Sequence, residues 1–468
     1  MKRGRDIGSL VVALVLAFVA VPGMLGPVLA ATPATAATAA TPATPATAAT
    51  AVTPATAGSS DPTSLDLSAT YDVRASLTWA SGRIVVSSDM HVVNTSGGPI
   101  KHLELNALPA SIGHLHLGTV RVDGLIVGAH VHGQTIIVPL GPSLAPSHAV
   151  DVSVRYHATF SPNTYDYFFL FSRANGILSA YRWIPWISRD VPVPSGRWHG
   201  DPFVTPSSPS VRVTLDSDVP LRFATSGKEV AHTGNSHTFV AHDVRDFNFT
   251  AARGYHRLVG LSIDGQTTIQ IMTRSLDPHV ILNWARKSIA AYEAKLGPYP
   301  WPTLTYGEGS GGVGMESPGL IWLPYHWSAS ELPYLVGHET AHEWFYAAVG
   351  NDQITDSFAD EAMAEFMDRW LLNDFRGSNC PKARLDLSIY QYSASCYFEQ
   401  LYVQGANFVN QLRRDMGNTA FWEALHAYWN TEEFKISSNK ILLDTLRSYA
   451  PDGAHLDKRL HARFPSLY

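Results

Sequence analysis

The chain has 468 residues, enough for two to three domains, and its 45% apolar content excludes a largely disordered protein. The formal net charge of −6 gives no basic footprint, so a dedicated nucleic-acid-binding protein is excluded and no nucleic-acid partner is expected. Only two cysteines occur, which excludes a zinc site built from cysteine, so a metal site would have to use the 20 histidines and the carboxylates.

The first predicted element is an export signal over residues 1–30. A positively charged start precedes an apolar run from Ile7 to about Ala20, and Val28 and Ala30 offer small side chains at the −3 and −1 positions for cleavage by signal peptidase. The alternative is an uncleaved anchor, since a bilayer is spanned by about 20 apolar residues. We therefore expect a secreted or cell-surface protein, with a membrane tether only if this segment is uncleaved.

Residues 31–62 are predicted to form a linker. They consist almost entirely of Ala, Thr and Pro. Such a composition cannot bury a hydrophobic core, and its prolines favour extended, solvated backbone. We expect a spacer between the N-terminal segment and the folded part of the chain.

Residues 63–257 are predicted to form an N-terminal, antiparallel all-β domain. Period-two alternation or a high content of β-branched residues marks strands within 83–93, 135–138, 150–156 and 211–215. Clusters of Gly, Pro, Asn and Ser separate these segments, which is typical of an antiparallel sheet or sandwich.

Residues 258–468 are predicted to form a mainly α domain, so the protein is multi-domain. Helical spacing of apolar residues is found within 276–296, 332–349, 357–373, 397–414 and 421–429. Cys380 and Cys396 lie in this domain and are close enough in sequence to form a local disulfide in an oxidising compartment. Two free thiols are the alternative.

The strongest chemical signal in the chain is a His-Glu-x-x-His pattern over residues 338–342. Residues four apart share one face of a helix, so His338 and His342 can bind the same metal ion. Glu339 then lies beside the metal, where a general base for an activated water molecule must stand.

Two later glutamates extend this pattern. Glu361 follows His342 after eighteen residues, and two His with one Glu form a catalytic zinc set that keeps a fourth position open. Glu365 lies one helical turn beyond Glu361 and is predicted to accept a hydrogen bond from a ligand imidazole. The alternative for both glutamates is a solvated helix face.

The spacing resembles the signature of the gluzincin zinc aminopeptidases of the membrane alanyl aminopeptidase type, in a short bacterial form that lacks the C-terminal helical-repeat domain. Residues 336–346 and 349–352 are also similar to the family's zinc helix and its exit. The resemblance implies one Zn2+ per chain, bound by His338, His342 and Glu361, with Glu339 as general base. It also implies a thermolysin-like, α+β fold for residues 258–468.

Upstream, residues 312–319 resemble the family's Gly-x-Met-Glu-Asn exopeptidase motif. The resemblance implies that Gly314, Met315 and Glu316 bind substrate and that Glu316 pairs with the free α-amino group, as a carboxylate in a cleft does with an ammonium ion. Ser317 stands at the Asn position and Val313 at the first Gly position. The alternative is a Gly-rich surface loop.

Downstream, residues 402–406 resemble the family's Tyr-x-Lys-Gly-Ala segment, with Gln404 in place of the usual Lys. The resemblance implies that Tyr402 donates a hydrogen bond to the oxyanion of the tetrahedral intermediate, a role to which a phenol O–H is suited. Without this context, Tyr402 would be interpreted as an amphipathic core residue.

The sequence therefore predicts a zinc-dependent metallopeptidase that removes N-terminal residues from peptides with a free N-terminus. Two alternatives stay open: a zinc endopeptidase with an open cleft, and a non-catalytic surface binding protein on a metallopeptidase scaffold. The sequence determines neither the preferred N-terminal residue nor the oligomeric state.

Overall fold

A computed structural model describes residues 63–190 and 200–468 of the chain. The predicted export signal (1–30) and linker (31–62) lie outside the described residues. From residue 63 onward these residues belong to one compact unit, and its division into domains at residues 257 and 258 stays a prediction. Within 63–190 and 200–468, no helix is long and apolar enough to cross a membrane.

The first half of the described chain is built from strands, as the alternation of apolar residues predicts. In the first strand, every second residue from Leu67 to Leu77 is buried, so one face of the sheet covers the core. The strands are β1 Leu67–Thr78, β2 Arg83–Asn94, β3 Ile100–Asn106, β4 His116–Val122, β5 Leu125–Ile126, β6 His130–His132, β7 Thr135–Leu144, β8 Ala149–Thr159, β9 Phe171–Ala174, β10 Ile177–Ala180, β11 Trp186–Ile187, β12 Val211–Ser217, β13 Arg222–Thr225, β14 Lys228–Thr233, β15 Ser236–Ala241 and β16 Phe249–Ala252.

These strands form one eight-stranded and two four-stranded sheets. The large sheet has the order β14-β15-β12-β1-β2-β8-β4-β5, and the smaller ones have the orders β11-β3-β7-β6 and β13-β16-β10-β9. One pair departs from the predicted antiparallel arrangement, because β1 and β12 run parallel with Tyr71 opposite Val211. Parallel neighbours need a long connection, and the chain between these two strands is long enough to cross over.

The second half combines a small sheet with helices, in agreement with the predicted α+β class. Strands β17–β20 form a sheet in sequence order, in which β18, β19 and β20 are parallel. The strands are β17 His256–Leu261, β18 Thr268–Thr273, β19 Thr303–Glu308, β20 Leu320–Leu323, β21 Gly350–Asn351 and β22 Ile436–Ser437, and the helices are α1 Pro109–Ile112 in the first half, then α2 Pro278–Glu293, α3 Leu332–Ala341, α4 Glu361–Leu372, α5 Gln404–Met416, α6 Asn418–Glu432, α7 Asn439–Tyr449 and α8 Gly453–Arg463.

Helix α3 ends at Ala341, eight residues before the end of the segment with helical spacing. The buried guanidinium of Arg245 donates to the carbonyl oxygens of Ala347 (3.0 Å) and Ala348 (3.1 Å). Tyr346 has a positive φ of 130°, which is incompatible with a continuing helix. A residue about a hundred positions upstream therefore stabilises the turn, which helical spacing alone cannot reveal.

The segment predicted as one helix over 397–414 has two parts. A π-helical turn covers Glu399–Val403 and leads directly into α5. Gly405 allows α5 to lie close against α4, since a Cβ at this position would be 2.5 Å from the Cβ of Ala362. Cys380 and Cys396 form a disulfide just before the π-helical turn.

Candidate active site

Helices α3 and α4 bring the three predicted metal ligands together. His338 and His342, both buried, lie at the end of α3, with their Nε2 atoms 3.2 Å apart. Glu361 is the first residue of α4, and its Oε2 lies 3.5 Å from Nε2 of His338 and 3.4 Å from Nε2 of His342. The three atoms thus form a nearly equilateral triangle.

This triangle has the dimensions of a zinc site. Ligands bound tetrahedrally at about 2.0–2.1 Å are separated from one another by about 3.3 Å, which matches the distances within the triangle. The carboxylates around the triangle also favour a bound positive charge, as the pKa of His338 shows. Burial lowers the pKa of His338, but its hydrogen bonds to Glu361 and Glu365 outweigh this effect and raise the pKa to about 10. The residues present therefore fit a divalent metal ion.

Carboxylates hold the other ring nitrogens of both histidines. Oε2 of Glu365 lies 3.1 Å from Nδ1 of His338, and its role as an outer acceptor stays a prediction. Oδ1 of Asp360 lies 2.8 Å from Nδ1 of His342, a role that was not predicted although Asp360 directly precedes Glu361. Each Nδ1–H can then donate to a carboxylate, which leaves each Nε2 lone pair free for a metal.

Glu339 is buried on the same turn of α3 and faces the Gly-rich loop. Burial raises the pKa of its carboxyl to about 7. A Cβ on Gly314 would be 2.1 Å from Oε1 of Glu339, so only glycine leaves room for this carboxylate. Met315 holds the loop in an extended conformation, since its main chain pairs with that of Trp322 in β20.

Glu316 lies beside the same site and is buried. Its Oε1 accepts a hydrogen bond of 3.0 Å from Nε2 of Gln353, which also donates to Oδ2 of Asp360 at 2.8 Å. Burial, and then the nearby charge of Asp201, raise the pKa of Glu316. The pKa of Asp201 is raised in turn by burial and by the charge of Glu361. No local motif in the sequence marks Asp201 or Gln353, so neither was predicted as a site residue.

Ser317, which stands at the Asn position of the motif, anchors the loop to the first half of the chain. It is fully buried, donates a hydrogen bond of 2.9 Å to Oδ1 of Asp246, and accepts one of 2.8 Å from Nδ2 of Asn248. The loop that carries Glu316 is therefore held by strand-side residues, and the alternative of a free Gly-rich surface loop does not describe it.

Tyr402 approaches the histidines from the π-helical turn. Its ring is nearly parallel to that of His338, with the ring centroids 5.8 Å apart. Burial and the charge of Glu361 raise the pKa of Tyr402, so its hydroxyl stays protonated and can donate. Gln404 points away, since its amide donates to the carbonyl oxygen of Pro381 at 2.9 Å and stabilises the disulfide loop.

Comparison with known proteins supports the fold. No family model matches the sequence. The chain is similar to the M1 zinc metallopeptidase from Deinococcus radiodurans, with 16% identity and a TM-score of 0.63 over 85% of this chain and 93% of that chain. It is equally similar to a Glu-to-Ala mutant of that protein bound to a Tyr-Ser-Ala substrate, with 16% identity and a TM-score of 0.62 over 85% and 94% of the two chains.

A two-domain M1 zinc metallopeptidase mutant bound to L-tryptophan is also similar, with 16% identity and a TM-score of 0.62 over 86% of this chain and 94% of that chain. At such low identity the similarity shows a shared fold. The chain thus has the fold of the two-domain M1 zinc metallopeptidases, which confirms the predicted fold class and, at the level of fold, the resemblance noted in the sequence.

Proposed function

We propose that this protein is a zinc-dependent metallopeptidase that removes N-terminal residues from peptides. The observation that carries the proposal is the triangle of His338, His342 and Glu361 atoms at zinc-ligand separations. The fold also supports the proposal, because it is shared with solved M1 zinc metallopeptidases, one of which binds a Tyr-Ser-Ala substrate. One Zn2+ per chain would be held by these three residues.

A bound zinc ion would supply Lewis-acid polarisation of the scissile carbonyl and acidify the attacking water. The chain's own residues move the protons. Glu339, whose pKa is raised to about 7 by burial, accepts a proton from water at its carboxylate and passes it to the leaving amine. Tyr402, whose hydroxyl stays protonated because its pKa is raised by burial, donates a hydrogen bond to the developing oxyanion.

Glu316 and Asp201 support cleavage at a free N-terminus. Burial, and then the charge of Asp201, raise the pKa of Glu316, so these two carboxylates repel each other when both are ionised. A substrate ammonium ion between them would relieve this repulsion and would gain charge-assisted hydrogen bonds. We infer that this pair binds the α-amino group and so sets cleavage after the first residue.

We also propose that the protein is exported. The Cys380–Cys396 disulfide supports this, since disulfides persist in oxidising compartments outside the cytoplasm. N-terminal sequencing of the protein recovered from culture medium is expected to begin after Ala30. Recovery only from the cytoplasm, with Met1 retained, would contradict export.

The test compares free-amine aminoacyl reporter amides with their N-acetylated counterparts, with and without a chelator. We expect chelator-sensitive hydrolysis of the free-amine set alone. Glu339→Gln should lower kcat by at least about 1,000-fold while zinc is still bound, because the base is lost and the ligands are not. Glu423→Gln, on the exposed surface of α6, is the matched control and should leave kcat unchanged.

Glu316→Gln separates the two kinds of peptidase. If Glu316 holds the substrate amine, this variant should lose most of its kcat/KM on free-amine substrates. Equal cleavage of acetylated substrates by the wild-type protein would instead indicate an endopeptidase. Absence of hydrolysis and of zinc by elemental analysis would favour a binding protein on a peptidase scaffold.

A further inference from the structure

A second group of His and Glu side chains with the geometry to hold a metal ion lies in the hairpin of β14 and β15, about a hundred residues before the active-site motif. This hairpin forms one edge of the eight-stranded sheet, and every residue of β14 is exposed. In the strand register His232 lies directly opposite His237, two residues from the turn. The two imidazole rings stack with their centroids 4.0 Å apart.

A β-bulge brings a carboxylate onto the same face. The register shifts between Glu229 and Ala231, so that Glu229 lies opposite Phe239. Phe239 and His237 are two residues apart and share a face of β15, so Glu229 and His232 share that face as well. In a regular strand, residues three apart would point to opposite faces, and the bulge at Val230 removes this conflict.

The donor atoms of the three residues converge. Oε1 of Glu229 lies 2.8 Å from Nδ1 of His237 and 4.0 Å from Nδ1 of His232. Nε2 of His232 lies 2.8 Å from the carbonyl oxygen of Gly234, to which it can only donate. The proton of neutral His232 is therefore on Nε2, and its Nδ1 lone pair is available on the side of Glu229.

His237 provides a fixed point for the cluster. Its side chain is only 11% exposed and packs against the ring of Phe223, with the ring centroids 5.0 Å apart. The side chains of His232 and Glu229 are 54% and 45% exposed, so they can adjust their positions at little cost. Zinc ligands in a tetrahedral site are about 3.3 Å apart. This value lies between the 2.8 Å and 4.0 Å that separate Oε1 of Glu229 from the Nδ1 atoms of His237 and His232.

We propose that Glu229, His232 and His237 form a second metal site, which binds a divalent transition-metal ion such as Zn2+. Two imidazole nitrogens and one carboxylate oxygen are ligands that zinc prefers, and a fourth position would face solvent. The ion would replace the proton shared by Glu229 and His237 and would link the two strands of an edge hairpin. This site is independent of the proposed peptidase activity.

The test counts zinc ions bound per full-length chain by equilibrium dialysis and elemental analysis at pH 7.5. We expect two ions for the wild-type protein and one for His338→Ala, which removes an active-site ligand. His232→Ala should also bind one ion, with binding at the hairpin weakened at least tenfold. The matched control is His130→Ala, an exposed histidine in β6, which should still bind two ions.

Thermal unfolding gives a second measurement. Zinc should raise the Tm of His338→Ala but not that of the double variant His338→Ala/His232→Ala, because only a folded-state site is stabilised by its ligand.

Two results would overturn the second site. If the wild-type protein binds one ion and His338→Ala binds none, the hairpin holds no metal, whereas the proposed active-site zinc is supported. If a second ion persists in His232→Ala with unchanged affinity, that ion is bound elsewhere. Conversely, loss of the second ion in His232→Ala with full peptidase activity would support both proposals separately.

Discussion

Gly314→Ala is expected to damage catalysis without unfolding the protein. The added Cβ would lie 2.1 Å from Oε1 and 2.7 Å from Cδ of Glu339, whereas Cβ contacts below 3.0 Å essentially never occur. Because the backbone of Gly314 lies outside the left-handed region, alanine meets no conformational penalty there. The strain therefore falls on the Glu339 carboxylate, which must move by about 1 Å.

The displacement affects the proposed general base directly. A misplacement of about 1 Å at a catalytic group can lower the rate by about 100-fold, which corresponds to about 2.7 kcal/mol of lost transition-state stabilisation. We expect kcat on an aminoacyl reporter amide to fall by about that factor. KM should change little, since the ground-state contacts of the substrate amine with Glu316 are not touched.

The control for this experiment lies two residues upstream. A Cβ on Gly312 would have nothing within 4 Å, so Gly312→Ala should keep wild-type kcat and Tm. A Gly314→Ala variant that retains kcat within threefold of wild type, or a Gly312→Ala variant that loses as much, would contradict a displacement of Glu339. Equal zinc content in the three proteins would show that a change in kcat arises at Glu339 and not from metal loss.

Three further predictions concern metal binding and stability. Asp360→Ala removes the carboxylate that accepts from Nδ1 of His342, so zinc affinity should fall by about 10–100-fold in competition with a chelator; an unchanged Kd would contradict this role. Burial raises the pKa of Glu343 to about 8 in the folded state, so the folded protein binds this proton more tightly and loses stability as the pH rises through 8. The Tm should therefore fall less between pH 6 and 9 in Glu343→Gln than in wild type. An equal fall of Tm in the two proteins would contradict this effect of Glu343. Replacing Cys380 and Cys396 by Ser opens a loop with a sequence separation of 16, which should cost about 3 kcal/mol in urea unfolding; an unchanged midpoint would show that the disulfide adds no stability.

Local patterns in the sequence account for much of the candidate site. The i, i+4 spacing of His338 and His342 already places both imidazoles on one face of α3. Glu361 is assigned from the His-His-Glu ligand set and from the resemblance to the family signature. Glu365 lies where one further helical turn puts it, beside Nδ1 of His338. The pairs within one helix are predictable because a helix fixes the relative positions of residues within a few turns, whereas the approach of α4 to α3 depends on the fold.

Other features depend on contacts that only the folded chain creates. Asp201 reaches the site from the strand-rich half, and Gln353 lies between Glu316 and Asp360. Arg245 stabilises the turn after α3 by donating hydrogen bonds to carbonyl oxygens about a hundred residues further along the chain. No periodicity in the sequence marks such positions.

Alternation and helical spacing are local properties of the chain, so the sequence alone predicts the strand-rich first half, the main helices of the second half and the metal-binding motif. The tertiary structure decided the parallel pairing of β1 with β12 and the second carboxylate beside Glu316. It also decided the bulge that turns Glu229 toward His232. Each of these features depends on which distant segments pack together. That packing is driven by burial of apolar surface over the whole core and is not a property of any one segment.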